Sequence, residues 1–503
     1  MTLVACTTVG PDFDEPEIAW LSDWQSDLYD PLGNREKQSD LDLRFWWKLF
    51  DDPVLDGLIE DAWTQNPTLR IAGLRILESR ALSGIAKSNL YPQGQQISGG
   101  AAYINSQQTG DKNGAGNQSF ASYDVGFGLG WELDFWGKFQ RGIESADAGF
   151  FASVTSYQDV MVLLSAQVVD FYFTYRTTQL RIALAQKNAE IQHRSFEITE
   201  RLYRGGQNSE LDLQQAKTQY LATLGTIPAL GILLGKTRNA LGALLGRAPG
   251  NLPELDTTEY DLPRVSPLSI DGTPVNLLTR RPDVRSAAWL AAAQSAQIGV
   301  AEADFYPAIT LLGSISWSGS SLAASPNVGT FAVGPTFTWN IFDYGRIANN
   351  VLVQDARLQQ AIEAFQNTVL QAAREIDDAA ISVAKTHEQQ NLNRQTVQAA
   401  ERSLELADTL YIEGYVGFQR VLDAQRALFV QSDGEISNQG NHIAAVIDLY
   451  KAFGGGWHQT QTQDLIPLEI QNAMENRSNW GDMLKSPLPP VPVSAATDSE
   501  SLK

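Results

Sequence analysis

The chain is poor in the residues that do chemistry. Of its 503 residues, one is cysteine, four are histidine and four are methionine. A single cysteine, Cys6, excludes an internal disulfide. The histidines (His193, His387, His442 and His458) are dispersed, with no spacing against carboxylates that suits a metal ion. No glycine-rich loop leads into Lys-Ser or Lys-Thr, so no phosphate cradle is expected. The sequence therefore predicts no enzyme, no cofactor and no metal site. Long hydrophobic runs are also missing. No stretch of 18 apolar residues occurs, so no membrane-spanning helix is expected. A β-barrel stays open, because its strands alternate polar and apolar residues. Basic residues are scarce, 37 Lys and Arg against 58 Asp and Glu, for a net charge of −21. That balance repels phosphate and makes nucleic acid an unexpected partner. It suits solubility, or a lumen that prefers cations.

Repetition stands against this scarcity. Residues 131–142 read WELDFWGKFQRG and residues 339–350 read WNIFDYGRIANN, 208 positions apart. At the same offset Leu202-Tyr203 meets Leu410-Tyr411, Gly206 meets Gly414, Ala216 meets Ala424, and Gly246 meets Gly454. Upstream, Pro67 meets Pro282 and Tyr91-Pro92 meets Tyr306-Pro307, at offset 215. The seven-residue difference falls where TGDKNGAGNQS and SGSSLAASPN read as loops. A repeat this long means duplicated halves rather than a solenoid. The expected layout is an N-terminal extended segment over 1–66, a first repeat over 67–250, a linker over 251–281, a second repeat over 282–457 and a tail over 458–503. The end of that tail, KSPLPPVPVSAATDSESLK, reads as disordered.

Each repeat spells helix, strand pair, long helix, turn, helix. The first helices run from Pro67 to about Leu90 and from Pro282 to about Phe305. Tyr123, Val125, Phe127, Leu129, Trp131, Leu133 and Phe135 share one strand face, opposite Asp124, three glycines, Glu132 and Asp134. Phe331, Val333, Pro335, Phe337, Trp339 and Ile341 alternate likewise. Such segments are long enough to cross a bilayer when tilted. They also fit a soluble sandwich with one buried face. Pro335 requires an edge, a bulge or a local distortion. Helical stretches follow from Gly137 to about Tyr203 and from Gly345 to about Tyr411, each about 100 Å long if continuous. Val351, Leu358, Ile362, Phe365, Val369, Ala372, Ile376, Ala379 and Val383 form a heptad seam, and the residues 208 positions earlier repeat it. A rod-like coiled-coil scaffold would also carry such a seam, but it would not explain strands interrupting each half. Four strands per chain leave open edges, which lipid forbids, so a membrane barrel would need several chains.

LVAC followed by TTVGPDFDEPE, the segment FWWKLFDDPVLDGLIEDAWTQNPTL, the NLYP and DFYP steps and the stretch VLDAQRALF together resemble the NodT-type branch of the TolC-like outer membrane factors. The likeness covers about residues 6–457. It implies an α+β membrane protein forming a homotrimer. Four strands per chain would build a twelve-stranded outer-membrane β-barrel, continued by a long periplasmic α-helical barrel. It implies a passive exit duct for small molecules or ions in a tripartite, resistance-nodulation-division type efflux system. The partners would be a periplasmic adaptor, an inner-membrane pump and outer-membrane lipid. A type I protein secretion duct is the alternative within the family, and a soluble coiled-coil scaffold the alternative outside it.

Cys6 in LVAC looks like the cleavage point of a bacterial lipoprotein signal, though an incidental cysteine reads the same way. Only five residues precede it, too few for a secretory signal, so the natural start is expected upstream. If acylated, Cys6 would anchor the chain with about 0.8 kcal/mol per buried methylene. By the resemblance, Asp423 lines a constricted periplasmic aperture, where threefold symmetry makes a charged ring; a solvated helix carboxylate is the alternative. Arg420 stands where some relatives carry a second Asp. Asp212, its first-repeat counterpart, is expected either to restore charge or to pair with it. Tyr203 and Tyr411 are candidates for closing contacts or for ordinary packing. Tyr91, Trp136, Tyr306 and Tyr344 flank the strands, as an interfacial aromatic girdle or as packing beneath the junction. RGGQNSELDL and EGYVGFQRVL are the expected adaptor-docking tips.

Overall fold

The computed structural model describes residues 8–18, 42–106, 118–250, 252–256, 260–265, 278, 280–320 and 327–492; Cys6 lies outside them. The first half comprises α1 (Pro53–Gln65), α2 (Pro67–Ser88), β1 (Gly94–Ser106), β2 (Gln118–Leu133), α3 (Lys138–Arg204) and α4 (Glu210–Leu244). The second comprises α5 (Pro282–Ala303), β3 (Ala308–Gly319), β4 (Asn327–Thr338), α6 (Arg346–Ile412) and α7 (Phe418–Ala452), followed by α8 (Leu468–Arg477). The duplication is visible in element lengths. α2 and α5 have 22 residues each, α3 and α6 have 67, and α4 and α7 have 35. At 1.5 Å per residue the longest pair each extend about 100 Å.

The two hairpins join into one antiparallel sheet, ordered β1-β2-β3-β4. Its register aligns Ile97, Phe127, Ile315 and Phe331 in one row across all four strands. That row is 80%, 42%, 58% and 72% exposed, so the apolar face of the sheet covers no core. This removes the soluble-sandwich alternative, which needs that face buried. Pro335 sits on β4, opposite Leu311, and β4 is an edge strand, where a missing N–H is tolerated.

The core lies below the sheet, around the upper part of α3. The seam expected there is buried at Ile143, Phe150, Val154, Tyr157, Met161, Leu164, Val168 and Tyr175. Its second-half copy is buried at Phe365, Val369, Ala372, Ile376, Ala379 and Val383. Trp46 is fully buried and stacks on Tyr450 at 5.3 Å. Asp52 caps α1 through Oδ1, accepting from Val54 N–H at 3.0 Å, while its Oδ2 accepts the hydroxyls of Tyr172 at 2.5 Å and Tyr260 at 3.1 Å.

Three expectations need correction. The N-terminal region expected to be extended contains a 3₁₀ helix, Leu43–Phe50, and then α1. Asp52 as cap and Pro53 in the first turn are the local cause. Of the stretch 485–503 expected to be disordered, residues 485–492 are described and dock against the helices. Arg80 donates to the carbonyls of Met483 and Ser486, at 3.0 and 2.9 Å, and Arg285 to that of Pro492 at 3.0 Å. These side chains satisfy the backbone of a segment too rich in proline to pair with itself. Finally, α4 is long and apolar enough to cross a membrane by length and composition, although it contains no unbroken apolar run. Little of its most apolar part is buried within the chain.

Candidate functional site: helix tips and strand-to-helix junctions

The lower ends of both helical hairpins turn by the same device. Gly206 and Gly414 adopt φ of 73° and 81°, the left-handed conformation that glycine alone enters without strain. Around them Gln207 N–H donates to Leu202 O at 2.8 Å, and Tyr415 N–H to Leu410 O at 2.9 Å. These are matching helix C-caps, 208 residues apart, that satisfy the last carbonyls of α3 and α6. The helices that follow begin differently. In α4, Ser209 and Asp212 form a reciprocal capping box, Asp212 N–H donating to Ser209 Oγ at 3.2 Å and Ser209 N–H to Asp212 Oδ2 at 3.3 Å, and Ser209 Oγ also donates to Asp212 Oδ2 at 2.8 Å. In α7, Gly417 provides no side-chain cap.

This asymmetry sorts the expected aperture residues. The Asp212 carboxylate is committed to its own helix, and among the described residues no ion pair joins it to Arg420. Arg420 is exposed. Asp423 accepts from Gln419 Nε2 at 3.0 Å, lies 3.7 Å from Arg426 Nη1 and keeps 46% side-chain exposure. Tyr411 packs its ring at a tilt against Phe418, centroids 5.3 Å apart, and lies on a small cluster of Ala216, Val421 and Leu422 that fastens one hairpin to the other. Tyr203 is 39% exposed and lies outside that cluster.

At the upper ends the repeated phrase makes a repeated joint. Trp131 Nε1 donates to Leu90 O at 3.2 Å, and Trp339 Nε1 to Phe305 O at 2.9 Å. Each indole ties the end of the second strand to the residue before the Tyr-Pro step, so the phrase and the step form one device. Gly137 and Gly345, with φ of 73° and 83°, then let the chain turn into the long helix. A carboxylate caps each helix start. Asp134 accepts from Phe139 and Gln140 N–H at 3.1 and 2.8 Å, and Asp343 from Gly345 and Ile347 N–H at 3.1 and 2.7 Å. The Ile347 N–H is the main reason the Asp343 carboxyl is held below its usual range.

The four girdle candidates divide in two. Tyr91 and Tyr344 are 70% and 102% exposed. Trp136 stacks on Tyr306 at 4.5 Å and donates to Pro307 O at 2.9 Å. Sequence reasoning missed a strap at this level. Arg141, 5% exposed, donates to the carbonyls of Val9 and Gly10 at 3.0 and 2.9 Å and pairs with Asp12 at 2.9 Å. Gly10, with φ of 89°, lies so close to the Gly299 backbone that a side chain there would collide with it. Arginine in a helix and glycine in a loop carry no local signal for that pairing.

Residues 58–247 and 273–455 match the family model for outer membrane efflux proteins. The chain is 28% identical over 479 residues to the toluene efflux pump outer membrane protein TtgF of Pseudomonas putida, covering 94% of this chain and 98% of that protein. It is 27% identical to the cation efflux system protein CusC of Escherichia coli, over 91% and 97% of the two chains. Among solved structures, the outer-membrane channel OprN superposes with a TM-score of 0.81 at 30% identity, over 89% of this chain and 99% of that one. CusC superposes with a TM-score of 0.77 at 25% identity, over 89% and 100%. The two 67-residue helices, the sheet with an exposed apolar face and the duplicated joints are thus those of a channel. The chain belongs to the outer membrane efflux protein family, and its place is the bacterial outer membrane.

Proposed function

We propose that three copies close one twelve-stranded barrel, and that the assembly is the passive exit duct of a tripartite efflux system. The carrying observation is the sheet. Its strands of 13, 16, 12 and 12 residues reach about 40–54 Å along the chain, enough to cross the roughly 30 Å hydrocarbon layer when tilted. It has two open edges, β1 and β4. An open edge presents unpaired N–H and C=O groups at about every second residue, each costing several kcal/mol in lipid. Closure through identical neighbours removes that cost. The exposed apolar flank of α4 finds cover in the same arrangement.

In this reading the long helices line a periplasmic tunnel. The tips at 204–210 and 412–418 meet a periplasmic adaptor, and an inner-membrane pump supplies the energy. Asp423, exposed beside the second tip, contributes one carboxylate per chain to a ring at the lower mouth. Asp212 stays in its cap, and Tyr411 steadies the hairpin. Tyr91 and Tyr344 face the membrane interface. Cys6 carries the lipid; Thr8 lies against Gly137 at the strand-to-helix junction, which is where a membrane anchor two residues away would belong.

Purification tests this. The protein should require detergent and run at about three times 55.2 kDa of protein mass. Radiolabelled palmitate should enter the wild type and be absent from Cys6→Ser. A monomer that stays in the aqueous fraction after membrane separation would end the duct reading; label persisting in Cys6→Ser would end only the lipid assignment.

A further inference from the structure

The four strands carry only two ionisable acidic or basic side chains, Asp124 and Glu132, both on β2 and both acidic. Alternation puts them on the same face, opposite the exposed Phe127 row. Much of the rest of that face is Gly, Ser, Thr or Ala, with Ile104, Phe120 and Leu312 its large apolar residues. Asp124 lies in a row with Gly100, Ser318 and Val328, and Glu132 in a row with Thr310 and Thr336. The Asp124 side chain lies over Gly100, where an added Cβ would sit 2.7 Å from its Oδ1. Among the described residues no basic group pairs with either acid.

Resting on the trimeric barrel proposed above, we infer that Asp124 and Glu132 form two stacked rings of three carboxylates inside the barrel, and that they make its membrane section selective for cations. Asp124 is nearer the loop that joins β1 to β2; Glu132 is next to the strand-to-helix junction. Eight residues of tilted strand separate the rings by roughly 20 Å. Twelve strands put the barrel backbone about 12 Å from the axis. An inward-pointing carboxylate is then about 9 Å from a passing ion. The Debye length is about 10 Å at 0.1 M salt and about 3 Å at 1 M, so each ring reaches the axis in dilute salt and is screened in concentrated salt. With no opposing base on the wall, the whole cross-section feels one sign of charge. These rings are separate from the Asp423 ring, which lies at the far end of the helices.

Planar bilayers under a potassium chloride gradient test this with the full trimer. Wild-type channels should be cation-selective at 0.1 M. Asp124→Asn should lower the cation-to-anion permeability ratio by roughly twofold, an effect that fades at 1 M. Asp124→Asn with Glu132→Gln should lower it further, and Asp124→Glu should restore it. Trimer bands on unheated gels verify assembly for each variant. Lanthanum ions added on the loop side should block the wild type and Asp423→Asn, but not Asp124→Asn. Absence of any channel from assembled wild-type protein would refute the duct reading itself. Channels whose selectivity and loop-side block are unchanged by the double variant would overturn the ring assignment alone.

Discussion

Asp159 on α3 shows how one partly buried group couples stability to pH. It faces a clamp in which Arg281 holds Asp283 at 2.8 Å and Glu375 at 2.9 Å while donating to Ala452 O at 2.7 Å. That clamp joins the start of α5 to α6 and to the end of α7. Burial, then the charge of Asp283, push the Asp159 carboxyl up to about 6; Arg281 pulls it down and Glu375 pushes it up. The sign follows directly. A raised carboxyl pKa means the folded chain disfavours the ionised form. Stability from this group is full below the ordinary value of 3.8 and falls as pH rises through about 6. Asp159→Asn should therefore stabilise the protein at pH 7.5 by roughly 2–3 kcal/mol and leave it unchanged near pH 4. Thermal scans of the detergent-solubilised protein at the two pH values check this. An equal Tm difference at both would show that packing, not ionisation, is responsible.

The helical hairpins differ at their second starts, and that difference is testable. Ser209 caps α4 and is held in turn by Asp212, whereas α7 starts from Gly417 without a side-chain cap. Ser209→Ala should cost about 1 kcal/mol at the end of α4 and speed proteolysis between Gly206 and Ser209 severalfold, with the second tip unaffected. Equal cleavage of both tips would show that the box contributes nothing there. Much of this scale was legible in the sequence. Paired Gly206 and Gly414, Pro67 and Pro282, and the twin Trp phrases are local signals, and the structure realises each as a cap or joint. The box at the start of α4 is also written in the sequence, as Ser209 followed three residues later by the acid Asp212. The Arg141 strap and the docked tail as far as Pro492 were not legible at all. Their partners lie about 130 and 400 residues away along the chain, at Val9 and Gly10 and between Arg80 and Met483, and only the folded backbone brings them together.

Duplication also separates contacts within a chain from contacts between chains. α3 and α6 have the same length and the same seam, yet 25 residues are buried on α3 and 11 on α6. Among the described residues α3 packs against α1, α2, α4, α5 and α7, whereas α6 packs chiefly against α5 and α7. The shortfall is a face that the chain itself cannot cover. Val162 and Leu370 occupy equivalent positions, 208 residues apart; Val162 is 3% exposed and Leu370 is 50% exposed. Phe173 and Ile381 repeat the contrast at 2% and 44%. Closing three chains into a ring would place the open side of α6 against the next copy. One substitution should then have two outcomes. Val162→Glu puts a charge into the core of a single chain and should prevent folding, since an unpaired buried carboxylate costs more than a domain can spare. Leu370→Glu should leave the chain folded, with wild-type helix content by circular dichroism, while the trimer band on unheated gels is lost or melts at a lower temperature. A Leu370→Glu trimer as stable as the wild type would mean that this face looks into the water-filled tunnel, where a carboxylate is at no disadvantage.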